Sequence, residues 1–286
     1  MADEQKREMS RRKFLTAGAI AAGTMAVGGG IFGAFNSNVA QAKETCNIEV
    51  PSWPWPYVKL DAEKAKVLAY EGYGIDRCCY GVFRGIMVQL QEKVGYPYTM
   101  IPIEIMQWGA TGGAGWGTLC GALMGASTAI NFVVGPSRKD VEKVVNELYG
   151  WYTTFEFPKY KPPLGKAIKA EGAIPTSVSG SPLCHVSVGN WCSTSKYRAE
   201  GKERSERCAR LTADVAAKTV ELLNDWHSNK FAAAYKDTQS VEECMTCHGK
   251  GRSLENARGK QDCIQCHDDV NPNDLLEHIK KNWEIK

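Results

Sequence analysis

Apolar side chains recur at intervals of three and four along most of the chain beyond residue 60, and strict alternation is rare. That period belongs to helices with one buried face. Ile75, Cys78, Cys79, Val82, Phe83, Ile86, Met87, Leu90 and Val94 mark such a face over about 75–94, closed by Gly95 and Pro97. A shorter helix over 62–70 precedes it, with Asp61 placed to cap its first free N–H groups. Ser137-Arg-Lys-Asp140 resembles a capping box opening a helix over 138–152. A long helix spans about 203–227, with Cys208, Leu211, Val215, Leu222 and Trp226 turned inward, and a last one covers 274–283. Pro51, Pro54 and Pro56, interleaved with Trp53 and Trp55, block helix and predict an extended strap over 43–60. Residues 158–183 hold five prolines and read as loop. The fold class is mainly α.

Between the second and third helices the pattern changes. Residues 109–130 are dominated by Gly112, Gly113, Gly115, Gly117, Gly121 and Gly125. From Gly117 the glycines recur every fourth residue, which predicts a helix with one bare face. A neighbouring helix can approach such a face closely, or a cofactor can lie against backbone. No Gly-Lys-Ser/Thr follows, so this is not a phosphate loop.

The amino-terminal segment is of another kind. Ser10-Arg11-Arg12-Lys13-Phe14-Leu15 opens a mild apolar run to Phe35, and Ala40-Gln41-Ala42 has the small-x-small form of a cleavage site. This is the layout of a twin-arginine export signal over 1–42, implying a periplasmic protein with no stable membrane span once the signal is cleaved. Retention as an anchor is the alternative, weakened by Gly28-Gly29-Gly30. The leader carries five of the 35 basic and three of the 32 acidic residues, leaving the rest near charge balance. A polybasic nucleic-acid-binding protein is thereby excluded. The remaining chain divides into a helical Cys- and Gly-rich domain over 43–228 and a small lobe over 229–286.

That lobe is polar, poor in aliphatics, and rich in cysteine and histidine. It contains Cys244-Met-Thr-Cys247-His248 and Cys263-Ile-Gln-Cys266-His267. Each is a C-x-x-C-H haem attachment motif. Two thiols separated by two residues reach the two vinyl groups of one porphyrin, and the following imidazole meets the iron. Two c-type haems would also supply the core that the lobe's own side chains lack. A zinc ribbon could use the same four thiols, since fifteen residues separate the pairs. It leaves both histidines without a task.

Three histidines remain as distal ligands: His278, near the motifs; His227, at the end of the long helix; and His185, after Cys184. Bis-histidine ligation closes both axial positions and favours electron transfer. Seven cysteines lie outside the motifs. Cys78, Cys79, Cys120, Cys184 and Cys192 are candidate ligands of an iron–sulfur cluster; Cys46 and Cys208 are less suited by position. The export route agrees, because a cluster built in the cytoplasm requires folding before translocation. Disulfides or buried structural thiols are the competing explanation.

Glu71-Gly-Tyr-Gly-Ile-Asp-Arg-Cys78-Cys79-Tyr-Gly-Val and Gly112-Gly-Ala-Gly-Trp-Gly-Thr-Leu-Cys120-Gly-Ala-Leu-Met-Gly125 are similar to the two parts of a Cys- and Gly-rich redox family whose pattern is C-G-C-A-x-x-G with later cysteines. Joined to the two haem motifs, residues 61–286 resemble the split-Soret cytochromes c. The resemblance implies a homodimer with haems gathered at one end. It also implies two coupled haems per subunit, bis-histidine ligation with a ligand donated across the dimer, and an iron–sulfur centre in the Cys-rich domain. The expected function is electron transfer with a periplasmic redox protein, with no bond-making residue. Two alternatives have distinct signatures: a small haem reductase with one open axial site, and a zinc-binding module.

Overall fold

The computed structural model describes Glu49 and residues 51–267. The export leader, Cys46, the 274–283 helix and His278 lie outside the described residues. Among those described, helices dominate and the only strands are β1 (Glu156–Phe157) and β2 (Ser177–Val178), paired antiparallel. The mainly α expectation holds. No helix of the described residues is long and apolar enough to cross a membrane.

Helix α1 (Ala62–Lys93) is two antiparallel arms. Asp61 accepts from the Glu63 and Lys64 N–H groups and starts the first arm. The backbone breaks at Asp76 (φ −150°, ψ 51°) and Arg77 (φ 64°, ψ −167°), and the second arm returns along the first. The reversal is recorded by contacts between the open ends. Buried Gln89 accepts from Asp61 N–H at 2.9 Å and donates to Asp61 C=O at 3.1 Å, and Lys64 pairs with Glu92 at 2.6 Å. The arms meet backbone to backbone. A Cβ on Gly81 would lie 2.7 Å from Ala69 O and 2.8 Å from Thr212 Cγ2. The two helices expected from the sequence are thus both present, joined by a two-residue turn.

Helices α2 (Gly121–Val134), α3 (Arg138–Thr154), α4 (Cys184–Ser195) and α5 (Lys202–His227) follow. Ser137 caps α3 by accepting from Asp140 N–H, as the capping box requires. Helix α5 is central, packing against α1, α2 and α3, with nearly every residue from Ser205 to Ala217 buried. Phe83, Leu90, Leu123, Ile130 and Leu148 meet in the shared core, each worth roughly 1.5–3 kcal/mol by burial. The proline-rich strap lies over one side, with Trp55 stacked on Phe132 at 5.0 Å.

Two buried carboxylates of α5 hold the 158–183 loop. Asp214 accepts from Lys159 N–H at 2.7 Å and Tyr160 N–H at 2.9 Å. Glu206 accepts from Tyr70 Oη at 2.6 Å, Arg210 Nε at 2.8 Å and Lys169 N–H at 2.9 Å. Burial disfavours the Glu206 anion, but these bonds outweigh it and keep its pKa below the usual range. Loop backbone that water would otherwise solvate is satisfied in this way.

One expectation fails. The Gly-rich run is not helical throughout: α2 begins only at Gly121. Gly112, Gly113, Gly115 and Gly117 all have positive φ, forming a coiled loop that closes with Thr118 N–H donating to Gly112 C=O at 3.0 Å. Glycine every fourth residue suits a helix face, but consecutive left-handed residues cannot continue a right-handed helix.

Beyond α5 the chain crosses α3. Glu147 accepts from Ala234 N–H and Tyr235 N–H, and the Tyr235 ring covers Gly150. Helix α6 (Gln239–His248) is capped by Thr238 and buries Val241. A short 3₁₀ turn, Cys263–Gln265, lies beside it.

Candidate functional site

Three helix starts each carry a cysteine. Cys78 is the first helical residue after the break in α1, Cys120 is the N-cap of α2, and Cys184 is the first residue of α4. The Gly-rich loop and the segment before α4 pair through a bridge between Leu119 and Leu183. Cys120 N–H donates to Pro182 C=O at 2.9 Å and Cys184 N–H to Thr118 C=O at 2.7 Å, which carries these two cysteines side by side. Bare glycines admit α2 to the same place. A Cβ on Gly121 would lie 2.7 Å from Cys78 Sγ, and one on Gly125 2.3 Å from Cys79 O. The bare face expected from Gly121 and Gly125 is therefore real, and what it receives is the Cys78–Cys79 backbone.

Cys208 of α5 completes the group. Its sulfur lies within electrostatic reach of the Cys78 thiol, as do those of Cys120, Cys184 and Cys79. Position along a long helix had counted against Cys208, yet its place on the inward stripe with Leu211 and Val215 was the signal that puts it here. Cys79 sits behind Cys78, with its sulfur against Gly109. Cys192 lies farther along α4, near Arg204, Arg207 and Cys208.

Burial pushes the Cys78 thiol well above its usual pKa, raises Cys120, and lifts Cys79 and Cys184 to about 12; neighbouring sulfurs add to each rise. Unmetallated, these groups remain neutral thiols at pH 7. Helix N-termini act in the opposite sense by favouring negative charge. A thiophilic metal displaces the protons outright. Soft sulfur donors suit iron or zinc, not magnesium or calcium. Among the described residues no three such side chains already surround one metal position. A sulfide-bridged centre spreads its protein ligands over several irons.

The two C-x-x-C-H motifs lie beyond the point where the chain crosses α3. On α6, Cys244, Cys247 and His248 stand three and four residues apart and so share one helix face. His248 Nδ1 meets Asn256 Oδ1 at 2.6 Å. With Nδ1 protonated, Nε2 is the nitrogen that would ligate iron. In the second motif His267 N–H donates to Cys263 C=O at 3.0 Å. Asp262 links the two motifs, accepting from Ser240 Oγ at 2.6 Å and from Ile264 N–H at 3.2 Å. The Cys244 and Cys263 thiols are within hydrogen-bonding reach of one another, and burial followed by this contact raises the Cys244 pKa. Of the proposed distal ligands, His227 is exposed at the end of α5, its ring 5.1 Å from Tyr57. His185 is exposed at the start of α4.

The family model described as "Putative redox-active protein (C_GCAxxG_C_C)" matches residues 80–222, a span holding Cys120, Cys184, Cys192 and Cys208. The split-Soret cytochrome c of Desulfovibrio desulfuricans (strain ATCC 27774 / DSM 6949 / MB) is 39% identical over 219 residues, covering 74% of this chain and 77% of that protein. A solved structure, titled "A novel iron centre in the split-Soret cytochrome c from Desulfovibrio desulfuricans ATCC 27774", superposes with a TM-score of 0.70 at 38% identity. It covers 74% of this chain and 90% of that one. The chain belongs to the split-Soret cytochrome c family, and with it to the electron-transfer proteins.

Proposed function

We propose that this chain is a periplasmic carrier, exported by the twin-arginine route, that passes electrons between a sulfur-ligated iron centre and two c-type haems. The observation that carries the reading is the meeting of three cysteine-bearing helix starts at Cys78, Cys120 and Cys184, with Cys208 beside them, in a chain that also holds two C-x-x-C-H motifs. Those four thiols would hold an iron–sulfur cluster, with Cys79 and Cys192 flanking it. A relative whose structure is titled for a novel iron centre supports the assignment. When bound, such centres accept and release single electrons without bond-making at the protein.

The chain's own residues supply position and protection. Cys244 with Cys247, and Cys263 with Cys266, would form thioethers to one haem each, with His248 and His267 as proximal ligands. Asn256 holds the His248 ring by its outer nitrogen. His278, His227 and His185 are the distal candidates. Residues 229–286 would form the haem lobe. The family likeness supports a homodimer. Exposed Met100, Ile105, Trp108 and Trp116 offer apolar surface to a second copy or a redox partner.

The test is compositional. A pyridine haemochrome assay on intact protein should give two haems per chain. Non-haem iron and acid-labile sulfide should appear in equal amounts after anaerobic purification. Fewer than two haems, or iron without sulfide, would sink the corresponding half of the reading.

A further inference from the structure

Arg207 passes the cysteine basin on α5 and is 1% exposed. Among the described residues no ion pair includes it. Its Nη2 donates to Ser187 Oγ at 3.0 Å, while its Nε has no acceptor. Ser187 stands one turn after Cys184, so its hydroxyl and that thiol share a face of α4. The same hydroxyl accepts from Tyr152 Oη at 3.0 Å, and Tyr152 is in turn within reach of Cys120. Cys208 is the next residue in the chain. Through Ser187 and Tyr152 the guanidinium lies on the Cys184 and Cys120 side of the basin, within electrostatic reach of both thiols.

One turn along, Arg210 gives the contrast. It is equally removed from water but pairs with Glu206 at 2.8 Å. A buried cation left without counter-charge is destabilising, and an apolar side chain would fill the Arg207 position without that cost. The negative charge that is missing beside Arg207 is one the basin gains when its thiols give up protons to a metal.

We propose that Arg207 is the fixed counter-cation of the sulfur-ligated iron centre, a positioning residue that raises the centre's reduction potential and helps retain it. The proposal rests on reading the basin as that centre. Reduction adds one negative charge to the site, so a cation fixed nearby in low dielectric stabilises the reduced form more than the oxidised form. Ser187 would aim the guanidinium, and Tyr152 would keep Ser187 in place.

Wild type, Arg207→Lys and Arg207→Gln, each as full-length haem-bearing protein purified anaerobically, would be compared by non-haem iron and sulfide counts. Redox titrations would then follow the centre by electron paramagnetic resonance and the haems by absorption. Arg207→Gln should shift the centre's midpoint to more negative values by more than it moves the haem midpoints, and Arg207→Lys should restore most of the shift. A full iron and sulfide complement with an unchanged midpoint in Arg207→Gln would overturn the proposal. Should Arg207→Gln be recovered without the centre, retention in Arg207→Lys supports a charge role, and loss in both variants would overturn it in favour of shape alone. Wild-type protein without acid-labile sulfide defeats the underlying reading before any variant is made.

Discussion

Gly125 and Gly189 both lie inside helices, yet an added methyl group should have opposite effects at the two positions. At Gly125 it would meet Cys79 O at 2.3 Å, and at Gly189 it would meet nothing within 4 Å. Gly125→Ala should cost about 1–3 kcal/mol by forcing α2 off the cysteine backbone. Gly189→Ala should add roughly 0.5–1 kcal/mol, because alanine loses less freedom on entering a helix. Denaturant titration of both variants checks the pair. Asp214 gives a pH signature. Burial lifts its pKa from 3.8 to about 6, against the pull of two N–H donors. The folded protein thus binds this proton more tightly than the unfolded chain does. The contribution, about 3 kcal/mol, is complete below pH 3.8 and is lost as pH rises through about 6. Wild type should gain stability over Asp214→Asn between pH 7 and pH 4; parallel profiles would refute the assignment. At this scale the sequence is uneven. The C-x-x-C-H residues declare themselves because their spacing is their chemistry. Cys208 is marked only by sharing an inward stripe with Leu211 and Val215, because its neighbours depend on which helices surround α5.

The helices themselves were readable wherever a polar cap met an apolar stripe, as at Asp61 and Ser137. What periodicity could not give was the reversal inside α1. Asp76 and Arg77 carry no proline or glycine to mark a turn, and Arg77 adopts a positive φ that non-glycine residues rarely take. The Gly-rich loop went wrong for the converse reason: Gly117 continues the fourfold spacing of Gly121 and Gly125 yet belongs to the left-handed coil before them. The junction between α3 and the tail offers an experiment. Glu147 satisfies the backbone of Ala234 and Tyr235. Glu147→Ala leaves those donors to water and should speed limited proteolysis within 229–238 by roughly tenfold or more, on a loss of about 1–3 kcal/mol, while the melting of the helical core stays close to wild type. Equal cleavage rates in the two proteins would show that the tail is held by other contacts.

Over the whole molecule, the cysteine basin lies among α1, α2, α4 and α5, so its occupancy and the helical core should be thermodynamically linked. Removing non-haem iron with a chelator under reducing, anaerobic conditions should lower the melting temperature read from helical circular dichroism. The Soret absorption of the covalent haems should persist. An unchanged melting temperature would place the iron outside the core. The two regions are also in touch. A Cβ on Gly180 would come within 3.2 Å of Gln265 Oε1, and Gln265 lies between Cys263 and Cys266. Gly180 leads in four residues to Cys184. One short stretch of backbone therefore borders the second C-x-x-C-H motif on one side and the cysteine basin on the other. Charge arriving at either end alters the local field at the other, so successive electrons should enter the molecule with unequal ease and not as independent events.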